Sequence, residues 1–403
     1  MKLNKNIYAI IIVALTGIVS TSCSKKEEVL TSPSLMKYRP SHNIDLNDVE
    51  IHHVFTAGVD GNNVYRIPSL VTAQNGDLLL FSEARKFSWR DKSPTDLVLK
   101  SSKDNGVTWS EMKVLLSDGN NAYMDPVAVT DKETGRVFVF ACLWPAEDVS
   151  MKNNTAWMLY SDDHGETWSA PKNVTTDIVP NSYSINGFGP GSGFQMSAGS
   201  ADGGRLIVPI RMYNGTANRN RVLYSDDHGD TWALGKEMFD GGEFQIAESP
   251  NNTLIYNRRG DATRYRAFSK DGGMTWTNFE LDKALRSVAG GVQGSVWGRD
   301  SVLFFTGPAG GAVTGNTDNR SNLFIYRSLD GGLTWNNQQL LFNKAAGYSC
   351  ITQMANGDFA VVFEAADTQG FIKDATRGYN WMRLDVITVP KEILNKDYWF
   401  NVK

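Results

Sequence analysis

Short, strand-like apolar runs recur along the chain, and each breaks into the same polar turn. DLVLKS (96–101), WMLYS (157–161) and LFIYRS (323–328) all lead into the pattern SxDxGxTW. Five copies are present: Ser102-Asp104-Gly106-Thr108-Trp109, Ser161-Asp163-Gly165-Thr167-Trp168, Ser225-Asp227-Gly229-Thr231-Trp232, Ser269-Asp271-Gly273-Thr275-Trp276 and Ser328-Asp330-Gly332-Thr334-Trp335. Ser and Asp side chains can bond turn amides, Gly supplies a permissive backbone, and Trp packs beneath. The pattern therefore predicts a β-hairpin turn after each run.

The box tryptophans are 59, 64, 44 and 59 residues apart. That period is too long for a solenoid repeat and suits a four-stranded propeller blade with variable loops. The 359 residues from Asp45 to Lys403, shared among six blades, leave about 60 per blade. The expectation is an all-β chain: a six-bladed β-propeller of four-stranded antiparallel sheets over 45–403, with one blade lacking the box.

Composition narrows the partners. A formal charge of -4 and a pI near 5.8 give no basic footprint for nucleic acid. Before the repeats, Lys2 and Lys5 precede the apolar run Ile7 to Val19, and Ser20-Thr21-Ser22 leads to Cys23, the plan of a secretory signal. Small residues followed by Cys resemble a bacterial lipobox, so 1–22 is read as a lipoprotein-type signal peptide with Cys23 as the acylated first mature residue. An ordinary signal peptide or a single membrane anchor is the alternative. Ser24-Lys25-Lys26-Glu27-Glu28 resembles the surface-export tag of some Bacteroidetes lipoproteins, and 23–44 is polar, charged and Pro-containing, as a mobile tether would be. The expected location is the periplasm or the cell surface, on the bacterial outer membrane, with membrane contact only through the lipid and a monomer as the simplest state.

Only Cys142 and Cys350 follow Cys23, so there is no disulfide framework or paired-Cys metal spacing, and each reads as a small buried apolar group. Among the histidines, His164 and His228 fall inside turn boxes and His52-His53 stands near the domain start. No HExxH, GxSxG elbow or phosphate-binding glycine loop occurs. No metal or cofactor is expected, and the chemistry falls to carboxylates, arginines or tyrosines.

Several arginines lie at strand ends: Arg66 in Tyr65-Arg66-Ile67-Pro68, Arg85 closing LLLFSEAR, Arg258-Arg259 after TLIYN, and Arg320 before NLFIYR. Each alone would be an ordinary surface ion-pair partner. Converging on the central mouth of a propeller, their guanidinium forks would bind a carboxylate bidentately.

The YRIP motif followed by five Asp boxes resembles the bacterial and animal exo-sialidases, or neuraminidases, over essentially the whole mature chain. The resemblance implies that Arg66, Arg259 and Arg320 bind the carboxylate of sialic acid, with Arg258 the competitor for the second place. It implies Asp91, 25 residues after Arg66, as acid/base, with Asp96 the lesser candidate. Glu243 in EFQIAE would polarise the nucleophile, Tyr348 in GYSCITQMANGDFAVVFE would be that nucleophile, Glu364 would orient the first arginine, and Glu248 would be structural. Met124 and Asp125 resemble a segment in which Met lines the N-acetyl pocket and Asp, with Arg85, bonds the 4-hydroxyl. Asp125-Pro126 is equally readable as a strand-edge turn. Trp144 is either a pocket wall or a core residue, and Asn186 to Gly193 resembles a glycine loop that lets backbone approach the site.

Tyrosine suits an anomeric carbon that carries a carboxylate, because a neutral phenol avoids the repulsion an attacking Asp or Glu would meet. The expected activity is release of terminal α-linked sialic acids from glycoconjugates with retention, through a tyrosyl-enzyme intermediate. Alternatives are an intramolecular trans-sialidase, an enzyme preferring deaminated sialic acid, or a non-catalytic sialic acid-binding propeller.

Overall fold

A computed structural model describes residues 50–394, apart from 147, 149, 201, 239–240, 300, 312–318, 336 and 372–381. The expected signal peptide, Cys23 and the expected tether lie outside the described residues. The described strands group into six antiparallel blades that succeed one another along the chain, joined by ladders into four sheets, and the first strand of each blade lines a central channel. Blade 1 comprises Val64–Thr72, Leu78–Arg85, Thr95–Ser102 and Lys113–Leu116. Blade 2 comprises Ala122–Thr130, Val137–Trp144, Thr155–Ser161 and Lys172–Asn173. Blade 3 is led by Ser184–Phe188 and blade 4 by Phe244–Ser249. Blade 5 runs from Ser295–Arg299 to the first part of the long strand Asn337–Gln353, whose second part is the inner strand of blade 6.

Blade 6 closes the ring. Its outer strand is the N-terminal Ile51–Thr56, paired antiparallel with Arg383–Val389. This explains the blade without a box: the box joins third and fourth strands, and in blade 6 those strands come from opposite ends of the chain.

The five boxes share one hydrogen-bond plan. In the second, Ser161 Oγ donates to Asp163 Oδ1 at 2.8 Å, Gly165 N donates to Ser161 Oγ at 2.7 Å, and Thr167 N and Oγ1 both donate to the Asp163 carboxylate. The glycine of every box has φ between 86° and 92°, which a side chain would disfavour. Four box tryptophans bond the carbonyl of their own glycine, whereas Trp335 donates to Asp282 Oδ2.

The channel is closed at its waist by polar side chains from neighbouring blades. Gln245 and Gln293 both donate to Pro190 O, Ser349 N donates to Gln293 Oε1, and Ala128 N donates to Ser69 Oγ. The waist separates two mouths. The starts of the inner strands face one mouth. The other holds a cavity of about 790 Å³ lined by residues such as Thr72, Lys132, Glu248, Arg299 and Gln353, and none of the expected catalytic residues reaches it.

Candidate functional site

Bulges in the inner strands aim the site residues. In blade 1 the register shifts between Arg66 and Ser69, and in blade 2 between Met124 and Val127. The two bulges match: Ile67 (φ 56°) and Asp125 (φ 54°) both adopt left-handed backbone, and each precedes a proline. A β-branched residue there costs on the order of 1–3 kcal/mol and persists only when its surroundings hold it. Glu364 does so at Ile67, accepting its backbone N–H at 3.2 Å. A third bulge, between Ala346 and Ser349, displays Tyr348.

Glu364, with no exposed surface, also accepts Arg66 Nε at 3.0 Å and Tyr348 N at 3.2 Å. One carboxylate thus ties the first arginine to the tyrosine's backbone. The Arg66 guanidinium lies 5.3 Å from the centre of the Tyr348 ring and that of Arg320 lies 5.6 Å away. Arg259 Nη1 donates to the phenol oxygen at 2.8 Å and to Glu243 Oε2 at 2.7 Å. The phenol in turn donates to Glu243 Oε1. Carbonyls of the Gly290-Gly291 pair accept from Arg259 and Arg320 at 2.8 and 3.1 Å. The three expected arginines therefore surround one phenol.

Strand alternation decides between the two adjacent arginines. Neighbouring side chains on the Thr253–Arg259 strand face opposite ways. Arg259 stands across from Glu243, their backbones joined at 2.9 Å, while Arg258 stacks on Tyr265 at 4.4 Å.

Burial pushes the Tyr348 phenol pKa up and Glu243 adds to it, against the pull of Arg259, Arg320 and Arg66. Burial also raises Glu243, but Arg259 and Arg211 outweigh it and hold the carboxylate below its ordinary range. The pair is thus a neutral phenol beside an ionised carboxylate.

Asp91 is exposed at the same mouth, its carboxylate 2.9 Å from Arg85 Nη1. Partial burial raises its pKa, but Arg85, Arg66 and Arg211 together lower it. Asp96 is turned away, bonded to Lys86 at 2.8 Å, and Glu248 accepts from Ser197. Trp144 is half-buried, bonded to Cys142 Sγ at 3.1 Å with Lys92 Nζ 5.2 Å from its ring. Cys142 and Cys350 are fully buried.

Arg85 and Asp125, both expected to bond the 4-hydroxyl, take different protein partners. Arg85 is fully buried; its Nε and Nη2 go to Glu83 at 2.9 and 2.6 Å, and its Nη1 goes to Asp91 and Trp89 O. Asp125 pairs instead with Arg211, while its N–H donates to Glu83 Oε1 at 2.8 Å. Met124 is buried beside it in the bulge. Glu83 and Arg211 were missed by motif reading. Each leaves a signal, however: a charged residue inside a wholly or largely buried strand, LLLFSEAR and LIVPIRMY.

A family model described as a BNR repeat-like domain matches residues 76–361, so the fold and boxes define a BNR-repeat propeller. A sialidase of Bacteroides fragilis is 32% identical over 345 residues, covering 77% of this chain and 61% of that protein. One of Paraclostridium sordellii is 30% identical over 342 residues, covering 75% of this chain and 81% of its own length. The solved structure of the Hadza microbial sialidase Hz136 superposes with a TM-score of 0.72 at 26% identity, covering 85% of this chain and 69% of that one. The chain belongs to the sialidase family, although it spans less than two thirds of the Bacteroides relative.

Proposed function

We infer that this protein is an exo-sialidase that hydrolyses terminal α-linked sialic acids on glycoconjugates with retained configuration. The observation that carries the reading is the convergence of Arg66, Arg259 and Arg320 on Tyr348, whose phenol is bonded to Glu243. Three cations at one mouth match a sugar acid, whose carboxylate they would grip through parallel N–H donors.

Proton transfer from a phenol of raised pKa to a carboxylate of lowered pKa is uphill as an isolated step. Glu243 therefore takes the proton as the C–O bond forms, when charge builds on the phenol oxygen and Arg259 strengthens its hold there. Asp91 protonates the departing glycosidic oxygen and then activates the water that releases the sugar. Its exposed position leaves room for the aglycone. The arginines hold the substrate carboxylate through the oxocarbenium-like transition state.

Release of sialic acid from 3'-sialyllactose, followed by NMR, tests the reading. Free sialic acid appearing first as the α-anomer is expected, and full turnover by both Tyr348→Phe and Asp91→Ala would end these assignments. An anhydro product would instead identify an intramolecular trans-sialidase, and saturable binding without turnover a binding propeller. We also propose that the enzyme is exported and lipid-anchored through Cys23; Cys23→Ala should move the protein from the membrane fraction to the soluble one.

A further inference from the structure

Arg211 is a buried cation for which the mechanism above has no use. It stands on the second strand of blade 3, Leu206–Tyr213, within a run whose other members are apolar. Its Nε donates to Phe188 O at 3.1 Å and its Nη2 to the Asp125 carboxylate. Gly187, at φ 136°, packs so tightly on this pair that a Cβ there would come within 2.3 Å of both Arg211 Nη2 and Asp125 Oδ2. The backbone of blade 3 has thus made room for a single arrangement of the two side chains.

The surroundings of Asp125 say what the guanidinium is for. Glu83 reaches it from the second strand of blade 1, Asp91 from the loop after that strand, Glu243 from the entry to blade 4, and the Cys142 thiol from the second strand of blade 2. Burial raises the Asp125 pKa and the three acids raise it further; Arg211 pulls it back, leaving it pushed up to about 7. An acid so placed keeps its proton unless a cation is held against it.

We propose that Arg211 is a positioning residue for substrate recognition, holding the Asp125 carboxyl in one orientation and favouring its anion, so that it accepts a hydrogen bond from a sugar hydroxyl. The inference rests on the sialidase reading and adds a residue that its motifs do not include. It also separates two acids of one mouth by role: Asp91 must be able to carry a proton, whereas Asp125 must shed one.

The test is steady-state kinetics on 3'-sialyllactose from pH 4.5 to 8.5 with the full chain and the variants Arg211→Met, Arg211→Lys and Arg211→Met with Asp125→Asn. Without its counter-ion Asp125 ionises only at higher pH, so the ascending limb of kcat/KM in Arg211→Met should move alkaline. At neutral pH its KM should rise about tenfold or more, kcat changing less. Arg211→Lys, which keeps a cation, should restore the limb toward its original position, and the double variant should lose the displaced limb because no carboxyl remains to titrate.

A folded Arg211→Met with wild-type KM and pH profile overturns the proposal, as does a displaced limb that survives in the double variant. If Arg211→Met does not fold, Arg211→Lys and Asp125→Asn are compared, and a wild-type KM in both overturns it equally. Wild-type turnover is the control: its absence sinks the sialidase reading, whereas turnover indifferent to Arg211 sinks this inference alone.

Discussion

Glu243 and Tyr348 lie 105 residues apart in sequence, yet one hydrogen bond joins carboxylate to phenol, with Arg259 donating to both. Tyr348→Phe removes the attacking oxygen and should lower kcat by about 10³-fold or more, and Glu243→Gln, which cannot accept the proton, by about 10²–10⁴-fold. Both should still bind substrate, so KM or a titrated Kd should move far less than kcat. Equal loss in binding and turnover would assign the pair to recognition.

The pH profile should expose the state of Asp91. In the free protein Arg85, Arg66 and Arg211 hold its pKa low, and the carboxylate is ionised at neutral pH. A bound sugar acid brings a negative charge to Arg66 and so weakens that hold, raising the Asp91 pKa in the complex. A charge about 6 Å away at an effective dielectric near 20 amounts to roughly two pH units. The descending limb of kcat, which reports the complex, should therefore lie roughly one to two units more alkaline than that of kcat/KM.

Glu364 joins blades 1 and 6 through Arg66, Ile67 N and Tyr348 N. Glu364→Gln keeps the shape but leaves Arg66 without its buried counter-ion, which should cost about 3–5 kcal/mol of stability. It should also raise KM, since Arg66 is no longer aimed. Denaturant unfolding and kinetics on the same preparation check both effects.

The Asp boxes sit at the turns into the outer strands and should affect stability alone. Asp163→Ala removes two acceptors in one turn and should cost about 1–3 kcal/mol at neutral pH with kcat unchanged. Bonds from Thr167 lower the Asp163 pKa to about 2. Its contribution is therefore present above the unfolded carboxylate value near 3.9 and fades as pH falls toward about 2. The difference in Tm between wild type and variant should shrink between pH 5 and pH 2.

The blade count was readable because a turn that needs Ser, Asp, Gly and Trp at fixed offsets leaves a mark in every hairpin that uses it. Arg66, Arg259, Arg320, Glu243 and Tyr348, which the structure brings together, each sit in or beside a recognisable motif. Geometry, however, was needed to choose Arg259 over Arg258, since adjacent residues on a strand differ only in the face they take. Glu83 and Arg211 lie in no motif; their partners are on other blades, and pairing between blades has no fixed spacing along a chain. The matching bulges at Ile67-Pro68 and Asp125-Pro126 were visible as letters, but their shared left-handed backbone was not.

The N-terminal strand that completes blade 6 has a mechanical consequence. Any pull on the chain ahead of Ile51 is borne first by the ladder between Ile51–Thr56 and Arg383–Val389. If that seam peels open, blade 6 loses its outermost strand, three strands from the inner one that carries Tyr348, so tension at the leading end loads the blade of Tyr348 before any other.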